Sequence, residues 1–257
     1  MPYKISGYLL LLFISILLGS CATNKDIYYF QDANTYGSKA IEYSSNTIQP
    51  NDILDIKIGA FVAESAIPYN KQTAGNTVTT SLELLALNGY LVTTSGTIKL
   101  PVLGITKVAN KTINELELAL TKTLEEDGHL IRPSVQVRLV NAKVTVLGEV
   151  NSPGTYLFTE QFISVPQALG YAGDLTLKGK RTDLLLIREV AGNRMMTNID
   201  LTSTNWMNDA TYYIKPNDVL VVNPNTMRVK SSGIIGSLGS LLSIGSILLS
   251  TIILLTK

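Results

Sequence analysis

From Gly233 to Thr256 the chain runs for 24 residues without a charged side chain. Wound as an α-helix such a run is about 36 Å long, against a bilayer hydrocarbon core of about 30 Å. It can therefore cross a membrane, and whatever the rest of the chain folds into must leave it outside a water-facing core. Arg228 and Lys230 precede it and Lys257 closes it, which puts charge at both interfaces. At about 100° per residue, Gly236, Gly239, Ser240, Ser243, Ser246, Ser250 and Thr251 share one sector, while Ile234, Ile235, Leu238, Leu241, Leu242, Leu248, Leu249, Ile252 and Ile253 fall outside it. Ile247 and Leu254 interrupt the small, polar sector, and Ser237 and Gly245 stray from it. Small residues let helices approach closely, and hydroxyls bond across a helix pair or face water. On the residues alone two roles stay open: an anchor with a packing face, or a pore-lining face. The second requires a ring of copies, because one helix encloses nothing.

The opposite end is apolar in a different way. Lys4 is followed by the run Tyr8 to Leu18, which is too short to span a bilayer stably and reads as a secretion signal over residues 1–20. It ends in Leu18-Gly19-Ser20-Cys21, with small residues before the only cysteine of the chain. That spacing resembles a bacterial lipobox, which implies lipidation of Cys21 as the mature N-terminus. The alternative is a plain signal peptide with a buried or coincidental thiol.

The charge balance excludes several classes of function. Lys plus Arg number 21 against 20 Asp plus Glu, so no basic excess exists to neutralise a phosphate backbone, and nucleic acid is not an expected partner. One Cys and one His leave no Cys/His set for zinc and no intrachain disulfide. No cofactor, metal site or catalytic residue is expected. Asp52 and Asp55 could suggest paired carboxylates, but after a turn signal Asp52 reads as a turn residue and Asp55 as a solvated one. His129 follows Gly128 in a loop and reads as exposed.

Residues 21–45 read as a polar, Tyr-containing tether without a sustained period. The turn signal Thr47 to Asp52, with Pro50, introduces a strand in which Leu54, Ile56 and Ile58 alternate with Asp55 and Lys57. Gly89 to Val92 and Thr97 to Val102, joined by Thr93-Thr94-Ser95-Gly96, read as a hairpin. Thr112 and Glu115 form a capping box for a helix with Ile113, Leu116, Leu120 and Leu124 on one face, ended by Gly128. Val135, Val137 and Leu139 form a further strand. This is one α+β unit over residues 46–141.

A second unit spans residues 142–226. Val144 and Val146 lead into Gly148-Glu149-Val150-Asn151-Ser152-Pro153-Gly154-Thr155-Tyr156, a tight reversal. Ser164 and Gln167 cap a short helix with Pro166 in its first turn and Gly173 at its exit. Leu184 to Ile187 and Val219 to Val222 read as buried strands, the latter introduced by Lys215-Pro216-Asn217-Asp218. Residues 227–257 read as the C-terminal amphipathic transmembrane helix.

Three stretches, Ile48-Gln49-Pro50-Asn51-Asp52-Ile53-Leu54-Asp55-Ile56, Gly89-Tyr90-Leu91-Val92 and Gly96-Thr97-Ile98-Lys99-Leu100-Pro101-Val102-Leu103-Gly104, resemble the export motif of the outer-membrane polysaccharide export family, the Wza-like lipoproteins. Val144 to Tyr156, Ala168 to Gly173 and Tyr213 to Val219 resemble a β-grasp domain of the SLBB (soluble ligand-binding β-grasp) type. The resemblance implies an α+β export domain, one SLBB domain and a C-terminal helix. It implies a homo-oligomeric ring, an octamer in the best-known relatives, whose helices form a barrel in the outer membrane. Cys21 would hold each subunit to outer-membrane lipid, with the bulk of the chain in the periplasm. The implied partners are a polysaccharide substrate and an inner-membrane polysaccharide copolymerase, often a tyrosine autokinase. Longer members carry two SLBB domains, so one implies a shorter stack.

Within the motifs, Pro50, Asp52, Gly96, Pro101, Gly104, Gly148, Pro153, Gly154, Gly173, Pro216 and Asp218 read as fold determinants rather than as a binding site. The leading expectation is a conduit for capsular or exopolysaccharide. The alternative is a lipid-anchored glycan-binding or adaptor protein whose helix only anchors it. A glycan-cleaving enzyme lacks a convincing acid/base constellation.

Overall fold

The computed structural model describes residues 27–41, 43, 45–71, 87–190 and 192–225, together with 243, 245–247, 250 and 251. The first unit begins with β1 (Ile53–Gly59), whose Leu54, Ile56 and Ile58 are buried as their alternation requires. Next come a 3-10 segment at Ala63–Tyr69, β2 (Tyr90–Leu91), β3 (Thr97–Leu100), β4 (Gly104–Lys107), α1 (Ile113–Glu126) and β5 (Ser134–Leu139). An antiparallel sheet of order β2-β1-β5 carries the core, and β3 pairs with β4 beside it.

The expected hairpin is corrected here. Residues 93–96 do turn, with the Thr93 N–H donating to the Thr97 carbonyl at 2.9 Å, but β2 pairs with β1. The hairpin partner of β3 is β4, across the turn at Pro101 to Leu103. Tyr90 is claimed by β1 because its ring is buried in the core that β1 builds.

Thr112 caps α1 with both halves of the capping box formed, and Leu116, Leu120 and Leu124 are buried one turn apart on the face that meets β5. The Glu117 carboxylate accepts the Val137 N–H at 2.7 Å, which ties the helix to the edge of that strand.

The second unit comprises β6 (Lys143–Gly148), β7 (Gly154–Leu157), β8 (Ile163–Ser164), α2 (Val165–Tyr171), β9 (Gly179–Val190), β10 (Asn193–Ile199), β11 (Tyr213–Ile214) and β12 (Val219–Pro224). Its five-stranded sheet has the order β10-β9-β12-β6-β7, and the β6 and β12 neighbours run parallel in an otherwise antiparallel sheet. A parallel neighbour needs a long crossover, and α2 with its flanking loops belongs to that connection. Val144, Val146, Leu184, Leu186, Leu220 and Val222 meet Val165, Ala168 and Leu169 of α2 in one apolar core. Ser164 caps α2 with Gln167 reciprocating.

Asn141, at the end of the first unit, clasps the start of β1. Its side-chain amide donates to the Asn51 carbonyl at 2.9 Å and its Oδ1 accepts the Ile53 N–H at 2.8 Å, and Leu139 packs against both cores. The stretch read as a plain tether is structured over part of its length. The Phe30 N–H donates to the Leu201 carbonyl and Gln31 to Thr202. The Asp32 carboxylate accepts from the Thr204 N–H at 2.7 Å and the Ser203 hydroxyl at 3.0 Å. Residues 29–32 are thus strapped to the second unit, because their aromatic and carboxylate side chains act as ligands for it.

Among the described residues no helix is long and apolar enough to cross a membrane. The expected transmembrane helix lies outside them apart from six residues. Of these, Ser243, Gly245, Ser246, Ile247, Ser250 and Thr251 are helical and exposed.

Candidate functional site

Both motif clusters are built on the same local device. Pro50-Asn51-Asp52 and Pro216-Asn217-Asp218 are turns in which Asn adopts a φ of 71° or 70°. The backbone N–H of each Asp bonds back across the turn, to the Gln49 carbonyl at 3.2 Å and the Lys215 carbonyl at 3.1 Å. Each Asp carboxylate then accepts the N–H of that same residue, Gln49 at 2.8 Å and Lys215 at 2.7 Å. Pro suits the second turn position and Asn tolerates positive φ at the third, so the sequence selects the turn, which launches β1 in one unit and β12 in the other.

The two carboxylates differ in electrostatics. Asp218 is 1% exposed and takes a bidentate grip from Arg188, itself 7% exposed, with Nη2 at 2.7 Å and Nε at 3.0 Å. The same guanidinium donates to the Ala210 and Tyr213 carbonyls, so the loop before β12 is pinned to β9. Burial raises the Asp218 carboxyl above its ordinary value, and the hydrogen bonds and charge of Arg188 oppose it. Asp52 is 3% exposed. Burial pushes its carboxyl from 3.8 up to about 6, and only the Gln49 N–H works against that shift. The expected turn role of Asp52 holds; its burial was not foreseen. Asp55 sits 3.8 Å from Lys57, and the exposed His129 faces the Tyr69 hydroxyl at 3.2 Å.

The glycines separate into those that are close approaches and those that are ordinary turn positions. Gly148 has φ of +91°, and a Cβ there would collide with the carbonyl of Val222 on the parallel neighbour β12. Gly96 has φ of +74°, and a Cβ there would stand only 2.4 Å from the Ala109 methyl. Gly104, Gly154 and Gly173 serve the turns at the start of β4, the start of β7 and the end of α2. Pro101 opens the β3–β4 turn, and Pro153 is exposed in the reversal before β7. None of these residues converges on a common cleft.

A cleft does exist elsewhere. A cavity of about 250 Å³ is lined by Tyr29, Phe30, Pro166, Leu169, Gly170, Asp174 and Leu201. The Tyr29 hydroxyl donates to Asp174 Oδ1 at 2.5 Å, and the Arg181 guanidinium lies 5.2 Å from the Tyr29 ring centre. Burial and the neighbouring Asp174 hold the Tyr29 hydroxyl well above its ordinary pKa, so it stays a donor. This site went unread in the sequence because its two halves are about 140 residues apart, the Tyr29–Asp174 pair spanning 145 positions.

Cys21, Gly236, Gly239 and Ser240 lie outside the described residues. Of the expected pore-lining residues, Ser243, Ser246 and Ser250 are exposed on helical backbone. The hydroxyl of Ser246 donates to the Ser243 carbonyl at 2.9 Å and that of Ser250 to Ile247 at 2.8 Å. Among the described residues no group of three or more His, Cys, Asp or Glu side chains could hold a metal ion.

Comparison with known proteins finds two matches in the order in which the units occur. Residues 42–140 match the polysaccharide biosynthesis/export protein family. Residues 143–198 match the SLBB domain. A similar curated protein is the EPS I polysaccharide export outer membrane protein EpsA of Ralstonia nicotianae. It is 32% identical over 108 residues, which are 40% of this chain and 28% of the relative. Its counterpart in Ralstonia solanacearum is 26% identical over 141 residues, 53% of this chain and 36% of the relative. The chain thus spans about a third of the length of these relatives. Residues 42–140, with the Pro50-Asn51-Asp52 turn, are thus a domain of the polysaccharide biosynthesis/export family, and residues 143–198, with Gly148 and Arg188, are an SLBB domain.

Proposed function

We propose that the chain is one subunit of a homo-oligomeric outer-membrane conduit for capsular or exopolysaccharide, held to lipid through Cys21 and working with an inner-membrane copolymerase or tyrosine autokinase. The observation that carries the reading is an arrangement: the export domain, then the SLBB domain, then an uncharged run of membrane length with a hydroxyl-bearing sector. A single helix cannot enclose water, so the conduit needs a ring of copies with apolar faces turned to lipid. The relatives, named as outer-membrane polysaccharide export proteins, support both the cargo and the membrane. The work is transport, and it asks for no reacting residue.

Mass measurement on gently solubilised protein tests the ring. A large closed oligomer is expected, and a monomer refutes it. Removing residues 233–257 should block surface polysaccharide while acylation at Cys21 persists. Export that survives this deletion refutes the conduit.

A second reading, an acylated glycan-binding or adaptor protein with a simple anchor, is favoured by one observation. The hydroxyls of Ser246, Ser250 and Thr251 all donate to carbonyls of their own helix, so they need no water to be satisfied. Cysteine substitution along residues 236–250 separates the readings. Only a lumen gives water-accessible Ser240, Ser243 and Ser250 beside protected Leu241 and Leu248.

A further inference from the structure

We infer that the cavity between the docked residues 29 and 30 and α2 is a binding site for a single neutral pyranose unit of a glycan. The choice of ligand rests on the polysaccharide export reading; the site itself rests on the geometry. At about 250 Å³ the space falls just below the ~300–1,000 Å³ of pockets that hold drug-sized molecules, which suits one ring. Its walls are of two kinds. Tyr29, Phe30, Pro166, Leu169 and Leu201 offer apolar surface, and aromatic rings attract the slightly positive C–H bonds on the face of a sugar ring. Asp174 supplies the polar element that fixes orientation. Its Oδ1 is taken by the Tyr29 hydroxyl and the Leu175 N–H, while Oδ2 has no hydrogen-bond partner among the described residues, leaving an acceptor for a sugar hydroxyl.

The charges around the cavity narrow the class. Asp174 lines the space, whereas Arg181 stands behind the Tyr29 ring and is 4% exposed. An acidic sugar would meet a carboxylate before any cation, so neutral hexoses are favoured over uronic acids. The site also has a built-in reporter. Trp206 is the only tryptophan of the chain, and its ring stacks on Phe30 at 6.2 Å between centroids.

The test uses the full chain in phosphatidylcholine nanodiscs, since a maltoside detergent would itself present a sugar. Glucose, galactose, mannose and glucuronate are titrated while Trp206 fluorescence and saturation-transfer NMR are followed. A saturable response to at least one neutral hexose is expected, with glucuronate at least about tenfold weaker. Asp174→Asn keeps an acceptor for Tyr29 and tolerates the φ of 71°, yet loses the charge-assisted bond and should weaken binding about tenfold. Gly170→Met fills the cavity from a position whose Cβ meets nothing within 4 Å and should abolish binding. No response to any neutral hexose in either measurement overturns the site, as do tighter binding of glucuronate or binding unaffected by both variants. Failure here leaves subunit mass untouched, and a monomeric protein that still binds hexose overturns the ring alone.

Discussion

Replacing Asp52 with Asn should make the export domain more stable at neutral pH, although it removes a charge from a motif position. Asp52 is buried, and burial lifts its carboxyl from 3.8 to about 6. A group whose folded-state pKa is raised contributes stability that is fully present below its unfolded pKa and is lost as pH rises through the folded one. Here the stabilisation is complete below about pH 3.8 and gone above about pH 6. The difference, at about 1.4 kcal/mol per pH unit, amounts to ~3 kcal/mol as an upper value. Asn is neutral throughout and still offers Oδ1 to the Gln49 N–H. Asp52→Asn should therefore flatten this pH dependence and raise stability at pH 7.5 by about 1–3 kcal/mol. Urea denaturation followed by far-UV circular dichroism at pH 5 and 7.5 measures it, with Trp206 fluorescence reporting on the SLBB domain separately. The quantity to compare is the wild-type minus variant difference at each pH. If that difference is the same at both, Asp52 is ionised in the folded state at pH 5 and the argument from its burial fails.

Gly148→Ala combines positive φ with a collision against the Val222 carbonyl and should cost at least about 3 kcal/mol, read as a loss of the SLBB thermal transition. Arg188→Met strands a buried Asp218 and should cost about 3–5 kcal/mol, of which the double variant with Asp218→Asn regains a measurable part; a double variant no more stable than Arg188→Met would show that the pair is not coupled. Thr112→Ala and Ser164→Ala each remove a side chain that caps a helix and should cost about 1 kcal/mol apiece in denaturant titrations, additively because they lie in different domains.

The elements that could be read in advance are those whose information is local. The spacing of Leu116, Leu120 and Leu124, the Thr112/Glu115 and Ser164/Gln167 boxes and the alternation at Leu54, Ile56 and Ile58 each declare themselves within a few residues. β10 does not: most of its residues are exposed on both faces, so no period marks an edge strand held by backbone pairing with β9. The β3–β4 hairpin was misplaced because two adjacent turns compete for β3, and the winner is decided by β1 drawing Tyr90 into its core. Arg188 was invisible for a related reason. On a strand it looks like any outward charge until Asp218, 30 positions away, is folded beneath it. The cavity at Asp174 needs Tyr29 and Phe30, which precede both domains in sequence, together with residues 166–201, and carries no spacing signal.

The strap at residues 29–32 and the Asn225 contacts to Leu177 and Lys178 secure both ends of the two-domain body, residues 27–225, to the SLBB domain. Any tension arriving from either terminus is thus borne by that one domain, in shear across its sheet and loops. The export domain lies between the strap and β6 in sequence, entered through residues 33–46 and left through Val140 to Ala142, and so stands outside the line of force while the strap holds.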